Sequence, residues 1–97
     1  MDAFTALADP TRRKMLELLR RFERPAGDFV LAFSHLTQPA VSRHLRVLRE
    51  VGLVRVRPEG QQRLYSVRPE GLAELGRWLA LFEDADPASC IAGPSRR

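Results

Sequence analysis

The apolar residues of this chain change their spacing at Gly52, and that change limits the folds open to it. Before Gly52, Val41, Leu45 and Leu48 recur at intervals of four and three, which is the spacing of one face of a helix. After Gly52, residues 53–57 alternate and are rich in β-branched side chains, which is the pattern of a strand. Since glycine is a common residue just past a helix end, we expect a helix to stop here and extended chain to follow.

The helix predicted over residues 37–50 has a polar side suited to nucleic acid. Thr37 is placed to cap its start, and Pro39 falls in the first turn, where a missing N–H costs little. The side opposite the apolar stripe has no carboxylate before the last residue of the helix; it carries Gln38, Ser42, Arg43, Arg46 and Arg49. Arginine, glutamine and serine can bond base edges in a major groove, and the remaining arginines suit phosphates. Taken alone, the stretch also fits a solvated amphipathic helix.

Three shorter segments before this helix are predicted as helices. Residues 2–8 place Phe4 and Leu7 on one face. A second helix opens at a capping aspartate followed by proline and runs over about residues 10–22, and its expected buried stripe is Met15, Leu18, Leu19 and Phe22. After a break at residues 24–27, the apolar segment 28–33 forms a third, and a tight turn leads into residue 37. A short helix, a turn and a longer polar-faced helix make a helix-turn-helix.

Two strands are predicted after Gly52, over residues 53–57 and 61–67, joined by a turn at Pro58-Glu59-Gly60. The exposed residues of this hairpin would be Arg55, Arg57, Gln61, Gln62 and Arg63. A basic hairpin directly after such a helix predicts a winged helix-turn-helix, in which the hairpin reaches phosphates or a minor groove. The alternative is a hairpin that only covers the core.

The last helix, which begins at Pro69, carries more apolar surface than the end of one small monomer needs, and such an excess is typical of an interface. We expect it to pair with the first helix across a two-fold axis, through Phe4, Leu7, Leu72, Leu75, Trp78, Leu79 and Phe82. The alternative is packing within one chain. We assign residues 1–83 to one DNA-binding and dimerisation domain, and we expect residues 84–97 to form a flexible tail.

The charge of the chain is unevenly distributed. Residues 37–68 hold seven arginines and two glutamates, whereas residues 69–86 hold one arginine and five acidic residues. A basic middle beside an acidic end suits a polyanion that docks on one face. Codon bias would explain why arginine outnumbers lysine, but it does not explain the clustering.

The sequence gives little indication of a membrane protein, a secreted protein or an enzyme. No apolar run approaches the roughly 18 residues of a membrane span, and the first residues lack the features of a signal peptide. The single cysteine, Cys90, excludes an internal disulfide and fits the cytoplasm, where we expect the protein to act without a membrane partner. We expect no enzyme, since there is no glycine-rich phosphate loop and no paired-carboxylate spacing, and neither histidine has an evident partner.

Four blocks of this sequence, at residues 4–13, 38–48, 52–54 and 60–67, resemble the ArsR/SmtB family of bacterial winged-helix repressors, in order and at the family's spacing. The resemblance implies a mainly α fold with a β-hairpin wing, in the order α-α-α-α-β-β-α, and a homodimer formed by the first and last helices. It implies repression of a double-stranded operator near the protein's own gene or a neighbouring one. The expected DNA-binding residues are Thr37, Gln38, Pro39, Ser42, Arg43, His44 and Arg46 on the helix, and Arg57, Gln61, Gln62 and Arg63 in the wing.

The family's metal-sensing members carry ligands at positions where this chain has none. Segment 28–33 has no cysteine, and the last helix has no histidine. The remaining candidates are His35, His44 and Cys90 with scattered carboxylates, so we expect neither a metal site nor a cofactor. The effector is unknown: an organic ligand, a redox event or autoregulation by concentration would each fit. A metal- or redox-responsive sensor remains an alternative, and a winged-helix module that binds protein in place of DNA is a more remote one.

Overall fold

The computed structural model describes residues 1–85, and residues 86–97 lie outside it. The helices and strands of this range are α1 (Ala3–Leu7), α2 (Pro10–Leu18), β1 (Arg24–Pro25), α3 (Ala26–Ala32), α4 (Gln38–Glu50), β2 (Val54–Glu59), β3 (Gln62–Val67) and α5 (Pro69–Ala80). This order confirms the predicted winged helix-turn-helix and adds one strand to it. The expected flexible tail lies outside the range apart from its first two residues, and so does Cys90.

Aspartate side chains cap the first two helices. The Asp2 carboxylate accepts a hydrogen bond of 2.8 Å from the backbone N–H of Thr5, and the Asp9 carboxylate accepts one of 2.8 Å from that of Thr11. Each satisfies a donor that the first turn of a helix leaves free. Pro10 follows Asp9 in the first turn of α2, as the sequence predicts.

Helix α2 ends at Leu18, four residues before its predicted end. The Arg24 side chain returns to this end and donates a hydrogen bond of 2.9 Å from Nε to the carbonyl of Leu18. Met15 and Leu19 are buried, as predicted. Phe22, which we expected in the same buried stripe, is 67% exposed, so that prediction is wrong.

Strand β1 occupies the first half of the predicted break between the second and third helices. It pairs antiparallel with β3, with Arg24 opposite Tyr65 and Pro25 opposite Leu64. The sheet therefore has the order β1-β3-β2, with β3 in the centre. Helix α3 begins directly after Pro25, two residues earlier than predicted, and Asp28 in its first turn forms an ion pair of 3.3 Å with Arg24.

Helix α4 forms where the sequence predicts it. The Thr37 hydroxyl accepts a hydrogen bond of 3.2 Å from the N–H of Ala40, which satisfies one donor of the first turn. The apolar stripe of Val41, Leu45 and Leu48 is buried. The opposite face of α4 is therefore turned away from the core.

The wing is the hairpin of β2 and β3. Its register pairs Glu59 with Gln62, so the turn consists of Gly60 and Gln61. Gly60 has a φ of 62°, the left-handed conformation that two-residue hairpin turns favour. The predicted three-residue turn is therefore wrong, because Pro58 and Glu59 belong to β2. Pro58 is tolerated there because β2 is an edge strand, where a missing N–H need not break a ladder.

Helix α5 packs against the point where α4 ends. Gly71 lies so close to the carbonyl of Gly52 that a Cβ on Gly71 would be 2.0 Å from the Gly52 oxygen. Gly52 itself has a φ of 83°, a value that residues other than glycine rarely adopt. The N–H of Arg68 also donates a 2.9 Å hydrogen bond to the carbonyl of Leu53. The two contacts fix α5 to the end of α4.

The core lies among the helices and the start of β2. Its buried apolar residues are Ala3, Ala6, Met15, Leu19, Phe29, Phe33, Val41, Leu45, Leu48, Leu53 and Val54. Within residues 1–85, none of the helices is both long enough and apolar enough to cross a membrane.

Candidate nucleic-acid interface

The outer face of α4 presents polar and cationic groups to solvent. The exposed residues on this face and at the start of the helix are Thr37, Gln38, Pro39, Ser42, Arg43, Arg46 and Arg49. Within residues 1–85, the three arginines form no ion pair. Their donors are therefore available to acceptors outside the protein.

A cleft of about 270 Å³ lies between α4 and β3 of the wing, and α3 also lines it. Its polar lining comes from both elements: Gln38, Ser42, Arg46 and Arg49 of α4, and Arg63 and Tyr65 of β3. No carboxylate is among the residues that line it. The fold thus brings three predicted helix residues and one predicted wing residue around a single opening.

The tip of the wing carries three of the predicted contacts. Gln61, Gln62 and Arg63 are all exposed. Gln61 lies in the turn itself, whereas Gln62 and Arg63 begin β3. Amide and guanidinium groups at such a tip can reach phosphates or a minor groove.

Arg57, the fourth predicted wing contact, is held by carboxylates of its own chain. Its Nη2 and Nε lie 2.7 and 2.8 Å from the two carboxylate oxygens of Glu23, and its Nη1 lies at hydrogen-bond distance, 2.6 Å, from Glu59. The hydrogen bond from Arg57 lowers the pKa of Glu23, and the same bond raises the pKa of Arg57. The guanidinium thus already has acceptors where we expected a phosphate, and the pair ties the wing to the loop after α2.

His44 lies on the side of α4 that faces α2. It is half-buried, and its Nδ1 is 3.3 Å from Nη1 of Arg12. Arg12 also donates a 2.7 Å hydrogen bond from Nε to the carbonyl of Ala6 at the end of α1, and it lies 3.6 Å from the Asp9 carboxylate. Burial would raise the pKa of Asp9, but the N–H of Thr11 and the charge of Arg12 hold it below its usual value. His44 therefore joins α4 to α2, away from the outer face of α4.

An aromatic cluster lies between α1 and α5. The rings of Phe4 and Trp78 meet edge to face with centroids 5.7 Å apart, and those of Trp78 and Phe82 do so at 5.0 Å. Trp78 remains 49% exposed, Phe82 53% and Leu79 60%. The other expected interface residues, Leu7, Leu72 and Leu75, are half-buried against the core. The seven residues therefore divide into a cluster open to solvent and a layer beneath it.

No candidate metal site is present in the part of the chain that the structure describes: it contains no group of three or more His, Cys, Asp or Glu that could hold an ion. His35 is exposed, and its ring lies beside that of Phe33, with centroids 6.3 Å apart.

Two residues of this surface, Arg49 and Glu23, were not among the predicted site residues. Arg49 lines the cleft because it lies seven residues after Ser42, two helical turns further along the same face, and this spacing is visible in the sequence. Glu23 could not be linked to Arg57 from the sequence, because the two residues meet only when β1 pairs with β3.

A helix-turn-helix with a cationic second helix, followed by a basic hairpin, defines the winged helix-turn-helix class of DNA-binding proteins. Residues 9–56 match the family model described as "Bacterial regulatory protein, arsR family". The chain belongs to this family, as the sequence resemblance implied.

Individual relatives agree with this assignment. The chain is 33% identical over 81 residues to the "Transcriptional repressor SdpR" of Bacillus subtilis, a match that covers 84% of this chain and 89% of that protein. It is 42% identical over 94 residues to the "Probable mercury resistance operon repressor" of Streptomyces lividans, a match that covers 94% of this chain and 74% of that protein. The crystal structure of a "Possible transcriptional regulator for arsenical resistance" superposes with a TM-score of 0.79 at 35% identity, over 95% of both chains. The protein is thus a DNA-binding transcriptional regulator.

Proposed function

We propose that the protein is a homodimeric repressor that acts in the cytoplasm on a pseudo-palindromic operator, near its own gene or a neighbouring one. The observation that carries this proposal is the outer face of α4 with its adjoining cleft, where amide, hydroxyl and guanidinium groups converge without a carboxylate. A dimer would place its two α4 helices in successive major grooves, with half-site centres about 34–36 Å apart.

The residues of α4 divide by what they can contact. Gln38, Ser42 and Arg43 lie in the first half of the helix, the part of a recognition helix that contacts base edges, and we assign base reading to them. Thr37 and Pro39 shape the start of α4. We assign phosphate and minor-groove contacts to Arg46 and to the wing tip, which carries Gln61, Gln62 and Arg63.

The dimer would form through α1 and α5. Phe4, Trp78, Leu79 and Phe82 leave large apolar areas open to solvent on these two helices. Burial of such side chains against a second copy contributes roughly 25 cal/mol for each Å² of apolar surface removed from water. Because α5 is fixed to the end of α4 at Gly71, dimerisation would also set the distance between the two α4 helices.

Binding to the DNA upstream of the protein's own gene, compared with scrambled DNA in a salt series, tests the proposed function. We expect a preference of roughly 10³-fold or more for the operator. Arg43→Ala should lower operator affinity by about 5- to 150-fold, which corresponds to about 1–3 kcal/mol, and relax the preference at one base position. Fluorescence anisotropy against a set of single-base operator variants measures both effects.

Arg21→Ala is the matched control, since Arg21 is an exposed arginine just after α2 and its loss changes the net charge equally. Unchanged operator preference in Arg43→Ala would show that α4 does not read bases through this residue. Repeating the titration with zinc tests the sensor alternative, for which binding would be lost when the metal is added.

Glu23→Gln is expected to strengthen operator binding by about two- to five-fold, because it removes the two-point ion pair with Glu23 and leaves the Arg57 guanidinium with Glu59 as its one carboxylate partner within residues 1–85. It should also steepen the slope of log affinity against log salt by about 0.9, the value for one added phosphate contact. Arg57→Ala in the wild-type background should change affinity much less than Arg43→Ala. A salt series on each variant measures these slopes.

Glu17→Gln removes one carboxylate from the exposed side of α2 and controls for net charge alone. Equal effects of Glu23→Gln and Glu17→Gln would show that the ion pair with Arg57 does not restrain the wing. A large loss of affinity in Arg57→Ala would show that this residue already contacts DNA in the wild type.

A further inference from the structure

The cleft between α4 and the wing has a composition that the reading of bases does not explain. Arg46, Arg49 and Arg63 converge on it from two elements, and none of the three forms an ion pair within residues 1–85. By contrast, Arg55 and Arg57 on the neighbouring strand do have carboxylate partners. The cleft is thus a place where guanidinium groups gather without an anion from their own chain.

The remaining lining of the cleft suits an oxyanion. Tyr65 adds a hydroxyl donor, and Ser42 and Gln38, which we also assign to base reading, add a hydroxyl and an amide donor. Helix α3 lines the cleft as well, with Ala26, Gly27 and Val30. The floor includes Val41 and Leu45, which are buried and lower the local dielectric, so a charge-assisted hydrogen bond made there is stronger than one in water. The volume of about 270 Å³ admits a phosphate group with several of its waters, since a water in the liquid occupies about 30 Å³.

The cleft also lies where the backbone of a bound DNA duplex would pass. If α4 lies in a major groove and the wing reaches the neighbouring groove, the sugar–phosphate strand that separates the two grooves must pass between these elements. The opening between α4 and β3 is that gap. The strand would therefore bring a phosphate to Arg46, Arg49 and Arg63.

We propose that this cleft is a phosphate-binding site that takes a backbone phosphate in the operator complex and a soluble phosphate anion in the DNA-free protein. The first half of this proposal rests on the proposed function, and the second half does not. Soluble phosphate and operator DNA then compete for the same three guanidinium groups. Arg49, which no base contact requires, becomes a principal determinant of affinity without being a determinant of sequence preference.

Two measurements on the intact protein separate the two sources of phosphate. In the first, the arginine Nε–H signals are followed by NMR while inorganic phosphate replaces chloride at constant ionic strength. We expect saturable shifts at Arg46, Arg49 and Arg63, and loss of saturation in Arg49→Gln but not in Arg20→Gln. Arg20 is an exposed arginine after α2, so its replacement is a control of equal charge. Shifts that do not saturate, or that spread evenly over all arginines, would overturn the free-anion half of the proposal.

In the second measurement, single phosphates of the operator are replaced one at a time by neutral methylphosphonates. Wild-type protein should lose about ten-fold in affinity at one phosphate between the major-groove contact and the wing, the order of one charge-assisted hydrogen bond. Arg49→Gln should lose a similar factor on the unmodified operator for every sequence tested, and no more when that phosphate is neutralised.

The outcomes distinguish this proposal from the proposed function. Additive losses from Arg49→Gln and from each methylphosphonate would show that Arg49 contacts no backbone phosphate, and they would overturn the operator half of the proposal. Protein that binds no operator would overturn the proposed function, while the phosphate titration would still decide whether the cleft binds anions. Circular dichroism of Arg49→Gln confirms that the fold is intact, as expected for an exposed side chain.

Discussion

Gly71→Ala is expected to lower the free energy of unfolding by at least about 3 kcal/mol, at the upper end of what overpacking a core costs. The added Cβ would lie 2.0 Å from the carbonyl oxygen of Gly52 and 2.9 Å from its carbonyl carbon. Both are backbone atoms, so no side-chain rotation relieves the clash. The backbone around Gly52 is held by hydrogen bonds, because the N–H of Gly52 donates to the carbonyl of Arg49 at 3.1 Å and the N–H of Leu53 donates to that of Leu48 at 3.0 Å. Thermal and denaturant unfolding followed by circular dichroism measure the loss.

Gly76→Ala on the same helix is the matched control. A Cβ at Gly76 meets no atom within 4 Å, so alanine should stabilise α5 by about 0.5–1 kcal/mol through its better helix propensity. If Gly71→Ala unfolded at the same denaturant concentration as the wild type or at a higher one, the close approach of α5 to the end of α4 would not exist in solution.

Trp78→Glu is expected to convert the proposed dimer to monomers and to lower operator affinity by about 10²- to 10⁴-fold, the factor that linking two binding sites supplies. The indole packs edge to face against both Phe4 and Phe82, so it lies at the centre of the exposed cluster. A carboxylate at that position would have to be buried without a partner whenever two copies met, which opposes association. Sedimentation equilibrium measures the mass, and anisotropy measures the affinity for a full operator and for a half-site.

Phe22→Glu serves as the control, because it also replaces an exposed aromatic ring by a carboxylate, in the loop after α2. It should leave the dimer intact. A Trp78→Glu protein that remained dimeric would place the interface elsewhere, and one that became monomeric with full operator affinity would show that the dimer is not the DNA-binding unit.

Helix α4 was predictable because every determinant of it is local. The cap at Thr37, the proline in the first turn and the stripe of Val41, Leu45 and Leu48 all act within one or two turns of the chain. The end of α4 before Gly52 was equally predictable. A glycine often occupies the position of positive φ after a helix, and the spacing of apolar residues changes at the same point of the sequence. The four blocks that resemble the ArsR/SmtB family also predicted the order of the helices and strands.

The parts that sequence reasoning missed depend on residues that meet across the fold. The early end of α2 follows from Arg24 bonding back to Leu18, and this leaves Phe22 in solvent. The orientation of His44 depends on Arg12, which lies 32 positions earlier in the chain. The partner of Arg57, Glu23, lies 34 positions away. Helical periodicity carries no information about contacts of this kind. The residue types on the outer face of α4 and on the wing were therefore predictable, but their pairing was not.

The positions of two prolines in the small sheet bear on how copies of this protein can meet. Pro25 lies in β1 and Pro58 in β2, and these are the two outer strands around β3. An outer strand with proline lacks a donor where an incoming strand would need one, so neither border is a good template for strand addition by another chain. Fibre-like growth through the sheet is thereby discouraged even at high local concentration. The proposed dimer accordingly uses the helical side of the molecule, where the contact surface is limited and two copies satisfy each other.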